Sequence, residues 1–190
     1  KRILFGMSLK LGTYAAERKL EKGFQDPLAK LIDFITWNVS FRSITKKLGI
    51  SKVDVAASGA APIAPEVLKF FMALGVPIFE GYGMTENTGY ATGNDYDNIQ
   101  LGTVGVPNKE CELKLADDGE ILIRHGGVFK GYFKNEEATR ETIDEDGWLH
   151  TGDVGEMHGK FIKIVDRKKD IIITSGGKNI SPSEIENALK

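Results

Sequence analysis

Between residues 53 and 81 two short apolar runs flank one helix-period segment, and that alternation restricts the chain to one class of fold. Val53-Asp-Val-Ala-Ala57 has the length and composition of a buried strand. It runs into Ser58-Gly-Ala-Ala-Pro62, a turn of small residues. Pro65 suits the first turn of a helix over Glu66–Leu74, where its missing N–H would have no partner in any case, and Gly75 suits the stop. Pro77-Ile-Phe-Glu80 is the second strand, ending at Gly81. Strand, turn, helix and strand in that order form the unit of a parallel α/β sheet.

The flanks read differently. Residues 1–50 are helix-like, with Leu28, Leu31, Ile32 and Ile35 at three-and-four spacing and charged residues between them. Beyond residue 95, Cys111–Leu115, Gly119–Arg124 and Lys160–Val165 alternate apolar and polar positions around Asp-Asp-Gly and His-Gly breaks. That pattern predicts small antiparallel strands in a β-rich lobe, with Asn135–Thr142 as a short capped helix. Ile171–Ile173 is a further apolar strand before Gly176-Gly177, and Ser181-Pro-Ser-Glu184 is a capping box opening another helix. The expected division is 1–95 (helical 1–50, sheet unit 53–95), 96–166, and 167–190.

Composition excludes several classes. One cysteine, Cys111, rules out an internal disulfide framework and a multi-cysteine zinc site, and His125, His150 and His158 are too scattered for a metal cluster on spacing alone. A net charge of −2 gives no global footprint for nucleic acid. The charge is uneven, with 11 basic and 4 acidic residues in the first 52. A basic segment of this kind suits docking on an acidic neighbour better than contact with acidic lipid, and leaves a peripheral membrane contact open. Asp54, Glu66 and Lys69 interrupt the most apolar region, so no membrane span is expected, and no signal peptide is visible. Without an initiator Met at Lys1, and with a helical pattern running to Lys190, the chain reads as a piece of a longer, cytoplasmic protein.

The residues best placed for chemistry are Glu80-Gly-Tyr-Gly-Met-Thr-Glu86, at the carboxyl end of a predicted strand, where open α/β sheets hold ligands. Gly81 and Gly83 permit close backbone approach, and Tyr82 between them offers an aromatic face to a base. Thr85 offers a hydroxyl to a phosphate oxygen, and Glu86 a hard carboxylate oxygen to Mg²⁺. The same residues also suit a glycine-bracketed turn with solvated Thr and Glu. Asp153, in Thr151-Gly-Asp153, could accept from two vicinal hydroxyls, although Asp after Gly on a tight turn is ordinary turn chemistry. Asp166-Arg-Lys-Lys169 matters only if the Arg167 fork meets phosphate or sugar oxygens. Thr174-Ser-Gly-Gly-Lys178 fails to complete a phosphate-cradling P-loop, because Asn-Ile follows it.

Taken in order, Ser58-Gly-Ala-Ala-Pro62, Gly81-Tyr-Gly-Met-Thr-Glu86, Gly131-Tyr132, Thr151-Gly-Asp153, Asp166-Arg167 and Gly176-Gly177 resemble the back half of the adenylate-forming superfamily over roughly residues 53–190. Within it, Asp146–Gly155 followed by Lys163–Lys169 is similar to the fatty acyl-CoA synthetase signature. Met157-His158 stands where that signature carries Trp and Pro, and Ile172–Ile180 looks more like bacterial or very-long-chain members.

The resemblance implies an AMP-forming long-chain fatty acid–CoA ligase. ATP, Mg²⁺ and CoA would be its cofactors and co-substrates, and the acyl group would pass through acyl-adenylate. It implies that Gly59, Ala60 and Ala61 line the adenine and Tyr82 packs on its face. Thr85 would bind the α-phosphate, Glu86 the magnesium, Asp153 both ribose hydroxyls, and Arg167 the ribose and phosphate side. Gly83 would meet the acyl group with backbone, and Lys169 would be the hinge into a small C-terminal α+β domain. The phosphate loop would lie upstream of Lys1 and the catalytic lysine beyond Lys190, neither Lys178 nor Lys190 being in its context. The segment alone is therefore expected to be inactive. An acyl-AMP ligase, a medium-chain or aromatic acyl-CoA ligase, and a non-catalytic nucleotide-binding or folding module are the alternatives.

Overall fold

The computed structural model describes residues 2–53, 55–173, 179–180, 182 and 185. In chain order the elements are α1 (Arg2–Lys22), α2 (Pro27–Thr36), one π-helical stretch Trp37–Phe41 and α3 (Arg42–Lys47). There follow β1 (Ala56–Ser58), α4 (Pro65–Ala73) and β2 (Ile78–Tyr82), then one 3₁₀ turn, Thr85–Asn87, and β3 (Thr92–Gly93). The remainder is β4 (Val106–Pro107), β5 (Glu112–Leu115), β6 (Glu120–Arg124), α5 (Glu136–Thr142), β7 (Leu149–His158), β8 (Phe161–Arg167), β9 (Ile172–Ile173) and β10 (Asn179–Ile180). The chain forms two compact units, the first Lys1–Glu80 with Asn94–Gly102 and the second Gly81–Gly93 with Thr103–Lys190.

In the first unit α1 packs against α2 and α4. Gly12 is required by that approach, because a Cβ there would stand 3.0 Å from Phe41 and 3.1 Å from Ala73. Asp26 caps α2, accepting the Ala29 N–H at 2.8 Å, while Pro27 fills the first helical position. Arg18 holds the same carboxylate through two bonds of 2.8 Å. Of the four apolar residues that marked this helix, only Ile32 is buried; Leu28, Leu31 and Ile35 are exposed. The helical period was therefore legible, whereas the buried face is set by Ala29, Ile32 and Thr36.

β1 and β2 pair in parallel, Ala56 to Ile78 and Ser58 to Glu80, as the strand–helix–strand reading expects. α4 begins at Pro65 and closes at Leu74 and Gly75, the latter at φ 81°, with Val76 N–H bonding back to Phe71 O. Phe79 and Phe24 both meet the ring of Tyr96, at 4.8 and 4.9 Å, which fastens segment 94–102 to this unit. β2 does not stop at Gly81. It continues through Tyr82, and Gly81 and Tyr82 pair antiparallel with β3 in the second unit.

The second unit is built on the antiparallel sheet β5-β6-β7-β8. Ile121, Ile123, Leu149 and Ile162 fill its core with Ala91 and Cys111. Ten-residue β7 corrects the sequence reading, which placed Thr151-Gly-Asp153 on a tight turn: these residues lie inside a strand. Glu120 pairs with Val154 and Leu122 with His150, so residues 151–153 bulge opposite Ile121 alone, and Gly152 takes φ 71° to allow it. A second irregularity separates Val154–Asp166 from Gly155–Ile164 between β7 and β8. α5 matches the expected helix, with Asn135 accepting the Ala138 N–H. Gly176-Gly177, the Thr174–Lys178 stretch, and Ser181 and Glu184 of the capping box lie outside the described residues, while Ile172–Ile173 pairs antiparallel with Asn179–Ile180.

Candidate functional site

β2 ends at Tyr82, and the following residues make a compact turn that projects Thr85 and Glu86. Met84 is extended, its N–H donating to Asn87 Oδ1 at 2.9 Å, and its carbonyl accepts from Gly89 N–H at 2.9 Å. This folds residue 89 back onto residue 83. A Cβ on Gly83 would stand 2.3 Å from the Gly89 carbonyl carbon, so only glycine fits without movement. Thr85 is exposed and Glu86 half-buried.

Three of the expected residues meet at one carboxylate. Asp153, buried on β7, accepts the Tyr82 hydroxyl at Oδ2 (2.5 Å) and faces the Arg167 Nε at Oδ1 (2.8 Å). Asp153 and Arg167 are direct cross-strand partners on β7 and β8, which explains how two residues 14 positions apart come into contact. Burial, reinforced by the Asp153 carboxylate, pushes the Tyr82 phenol far above its ordinary range, so it remains a hydrogen-bond donor at every physiological pH. Each Asp153 oxygen keeps a second lone pair, enough for the hydroxyls of a vicinal diol. The Arg167 side chain is about half exposed, leaving part of its donor fork facing outward.

Glu86 belongs to a second cluster of the same unit. Its Oε1 accepts the Tyr132 hydroxyl at 2.8 Å, and its carbonyl accepts the Phe129 N–H at 2.7 Å. The Glu86 carboxylate raises the Tyr132 phenol, with burial adding to the effect. Tyr132 is held in turn by its N–H bond to Thr139 Oγ1 at 2.9 Å, and neighbouring Gly131, at φ 140°, has Thr139 where a side chain would go. Gly131-Tyr132 was visible as a motif, but its bond to Glu86 was not. Among the described residues no group of three or more His, Cys, Asp or Glu could cage a metal ion. One half-buried carboxylate is the donor set Mg²⁺ uses when phosphate and water supply its remaining oxygens, so Glu86 fits that ion.

Gly59, Ala60 and Ala61 lie in the first unit, on the turn between β1 and α4. Ala60 takes φ 66°, the left-handed region, and Ile63 N–H closes the turn onto Glu80 Oε1 at 3.0 Å. Burial raises the Glu80 carboxyl above its usual range, with the Ile63 bond opposing. Lys169 is exposed in the turn that follows β8. Two residues that the sequence reading passed over stand beside Asp153: Glu120, buried at the start of β6, and Lys168, directly after Arg167. An acidic residue opening an apolar strand was the available signal for the first.

Comparison with known proteins gives the same direction. The family model described as "AMP-binding enzyme" matches residues 15–133. A long-chain-fatty-acid–CoA ligase, FadD15 of Mycobacterium bovis, is 41% identical over 151 residues, covering 79% of this chain and 25% of that protein. The peroxisomal long chain acyl-CoA synthetase 7 of Arabidopsis thaliana is 44% identical over 163 residues, covering 77% and 23%. The chain thus spans about a quarter of the length of the curated relatives it matches. Among solved structures, the O-succinylbenzoate coenzyme A synthetase of Bacillus subtilis, in complex with ATP and magnesium ion, superposes with a TM-score of 0.66 at 25% identity, over 94% of this chain and 50% of that one.

Proposed function

This chain belongs to the AMP-binding enzyme family, and we propose that it carries the nucleotide-gripping part of an AMP-forming long-chain fatty acid–CoA ligase. The observation that supports the reading most is the convergence of Tyr82 and Arg167 on the buried Asp153 carboxylate. In this reading Asp153 accepts both ribose hydroxyls, Tyr82 lays its ring on the adenine, and Arg167 turns its free donors toward ribose and phosphate. The Gly59–Ala61 turn lines the adenine, and Thr85 donates its hydroxyl to the α-phosphate. Gly81 and Gly83 let backbone approach the ligand, Gly83 on the acyl side, and Lys169 is the pivot toward a C-terminal domain. Glu86, oriented by Tyr132, holds Mg²⁺, which supplies charge neutralisation to the phosphate oxygens when bound.

The proposed reaction has two steps. The fatty carboxylate oxygen attacks the α-phosphorus of ATP, and the bond to the β-phosphate oxygen breaks, giving acyl-adenylate and pyrophosphate. The thiol sulfur of CoA then attacks the acyl carbon, AMP leaves, and the thiol proton is released. What these side chains contribute is positioning and fixed donors toward developing negative charge, the main source of catalysis in phosphoryl and adenylyl transfer.

The test is AMP binding by the 190-residue chain and its Asp153→Ala variant. Wild type should bind at millimolar AMP or below, and the variant should lose about 1–3 kcal/mol through its charge-assisted bonds. Equal affinity in the two chains contradicts the ribose assignment. Acyl-dependent pyrophosphate exchange by the chain would contradict the expectation that it does not turn over by itself. Binding without exchange would give it the role of a nucleotide-binding module, and no binding would leave only a folding role. In an enzyme that contains this segment, CoA dependence supports the ligase, and carrier-protein dependence the acyl-AMP alternative.

A further inference from the structure

The bulge that delivers Asp153 is a costly piece of backbone. Residues 151–153 stand opposite one residue of β6, so their polar groups cannot all use the sheet ladder. Two side chains replace the missing partners. Thr151 Oγ1 donates to Ile121 O at 2.8 Å and accepts from Asp153 N–H at 3.1 Å. Glu120 Oε1 accepts from Gly152 N–H at 2.9 Å.

The second oxygen of Glu120 reaches the other strand. Oε2 accepts from Lys168 Nζ at 3.0 Å and lies 3.4 Å from His150 Nδ1. Lys168 also pairs with Asp118 Oδ2 at 2.6 Å, and its N–H donates to Gly152 O at 2.8 Å. Asp118 in turn accepts the Glu120 N–H at 3.1 Å. Gly152 immediately precedes Asp153 and Lys168 immediately follows Arg167, so one buried carboxylate grips the flank of each member of the Asp153–Arg167 pair. Burial alone would push the Glu120 carboxyl up; Lys168, the Gly152 N–H and His150 outweigh it and hold the group below its usual range. A buried charge has to be repaid by such bonds, and here all of them go to the two residues that frame the site or to His150 of the same bulged strand.

We propose that Glu120 is a positioning residue of the nucleotide site, fixing the Asp153 carboxylate through Gly152 and the Arg167 fork through Lys168 without touching nucleotide. The proposal rests on the reading of Asp153 as the ribose acceptor, so its test needs a readout that survives the failure of that reading. Tyr82 supplies one. Burial first and the bond to Asp153 second raise its phenol, and a displacement that breaks that bond removes the second contribution and lowers the titration.

The experiment compares wild type, Glu120→Gln, Glu120→Ala and Lys168→Met in the 190-residue chain. AMP affinity is measured by calorimetry and the Tyr82 titration by NMR of ¹³Cζ-labelled tyrosine. Glu120→Ala should weaken AMP about tenfold, the loss of one hydrogen bond to a charged group, and lower the Tyr82 titration. Glu120→Gln keeps an oxygen for Gly152 but loses the Lys168 arm, so it should weaken AMP about two- to threefold, as should Lys168→Met, which cuts the same arm. The double variant Glu120→Gln/Lys168→Met should be no weaker than either alone, because both remove the same contact. Wild-type affinity and an unmoved Tyr82 in folded Glu120→Ala overturn the proposal. Should Glu120→Ala not fold, the Gln–Met cycle decides, with additive losses or none overturning it. Failure of wild type to bind AMP sinks the functional reading alone. The Tyr82 titration then supports positioning if it falls in Glu120→Ala but not in Glu120→Gln, and overturns it if unmoved in both.

Discussion

Tyr132 and Gly83 show how single residues tune this region. Tyr132 holds Glu86 through one bond of 2.8 Å, so Tyr132→Phe leaves that carboxylate without its orienting donor. The expected outcome is a loss of about 0.5–1.5 kcal/mol in Mg²⁺-dependent ATP binding with AMP binding unchanged, checked by titrating each nucleotide with and without the ion. Gly83→Ala puts a methyl 2.3 Å from the Gly89 backbone, which must move the whole 83–89 turn. A cost of about 1–3 kcal/mol in unfolding free energy is expected, measured by urea denaturation. The residues of this turn were legible because they lie consecutively in sequence. The Asp153–Arg167 pair was legible only as two separate hints, since its contact is a consequence of β7–β8 register. Glu120 left no motif, and Lys168 was visible only as one member of a charge run, because their role depends on a bulge that residue order does not announce.

At the scale of elements, ten-residue β7 was the longest of the strands that sequence reasoning did not find, the others being two-residue β3, β4 and β10. Gly152 and Asp153 are turn formers, and the bulge shifts the alternation of the strand midway, so both local signals pointed away from a strand. The ends of α4 were easier, since Pro65 and Gly75 mark termini by what their backbones permit or lack, whereas the break before Pro27 was not read. α2 offers a pH test. The Arg18 guanidinium first, and the Ala29 N–H second, lower Asp26 to about 2 from 3.8. A carboxylate with a depressed folded pKa contributes stability that is present above its unfolded value and lost as pH falls through the folded one. Thermal stability of the chain should therefore fall as the pH drops from about 4 to about 2. Asp26→Asn keeps a capping oxygen and should flatten that window. An identical acid profile in the variant would assign the loss to other carboxylates.

For the molecule as a whole, the α/β class, the helical start and the β-rich second part were all readable from periodicity and turn chemistry. The buried face of the first helices was not, because Leu28, Leu31 and Ile35 have the spacing of a core stripe and yet are exposed. Among the described residues no helix is long and apolar enough to cross a membrane. The central claim is that the Asp153 carboxylate of this family member grips a ribose diol. Its most direct test is the ratio of affinities of the chain for AMP and for 2′,3′-dideoxy-AMP, measured in wild type and Asp153→Ala. Wild type should prefer AMP by about tenfold or more, with the preference collapsing to unity in the variant. Equal affinity of wild type for the two nucleotides would contradict the account.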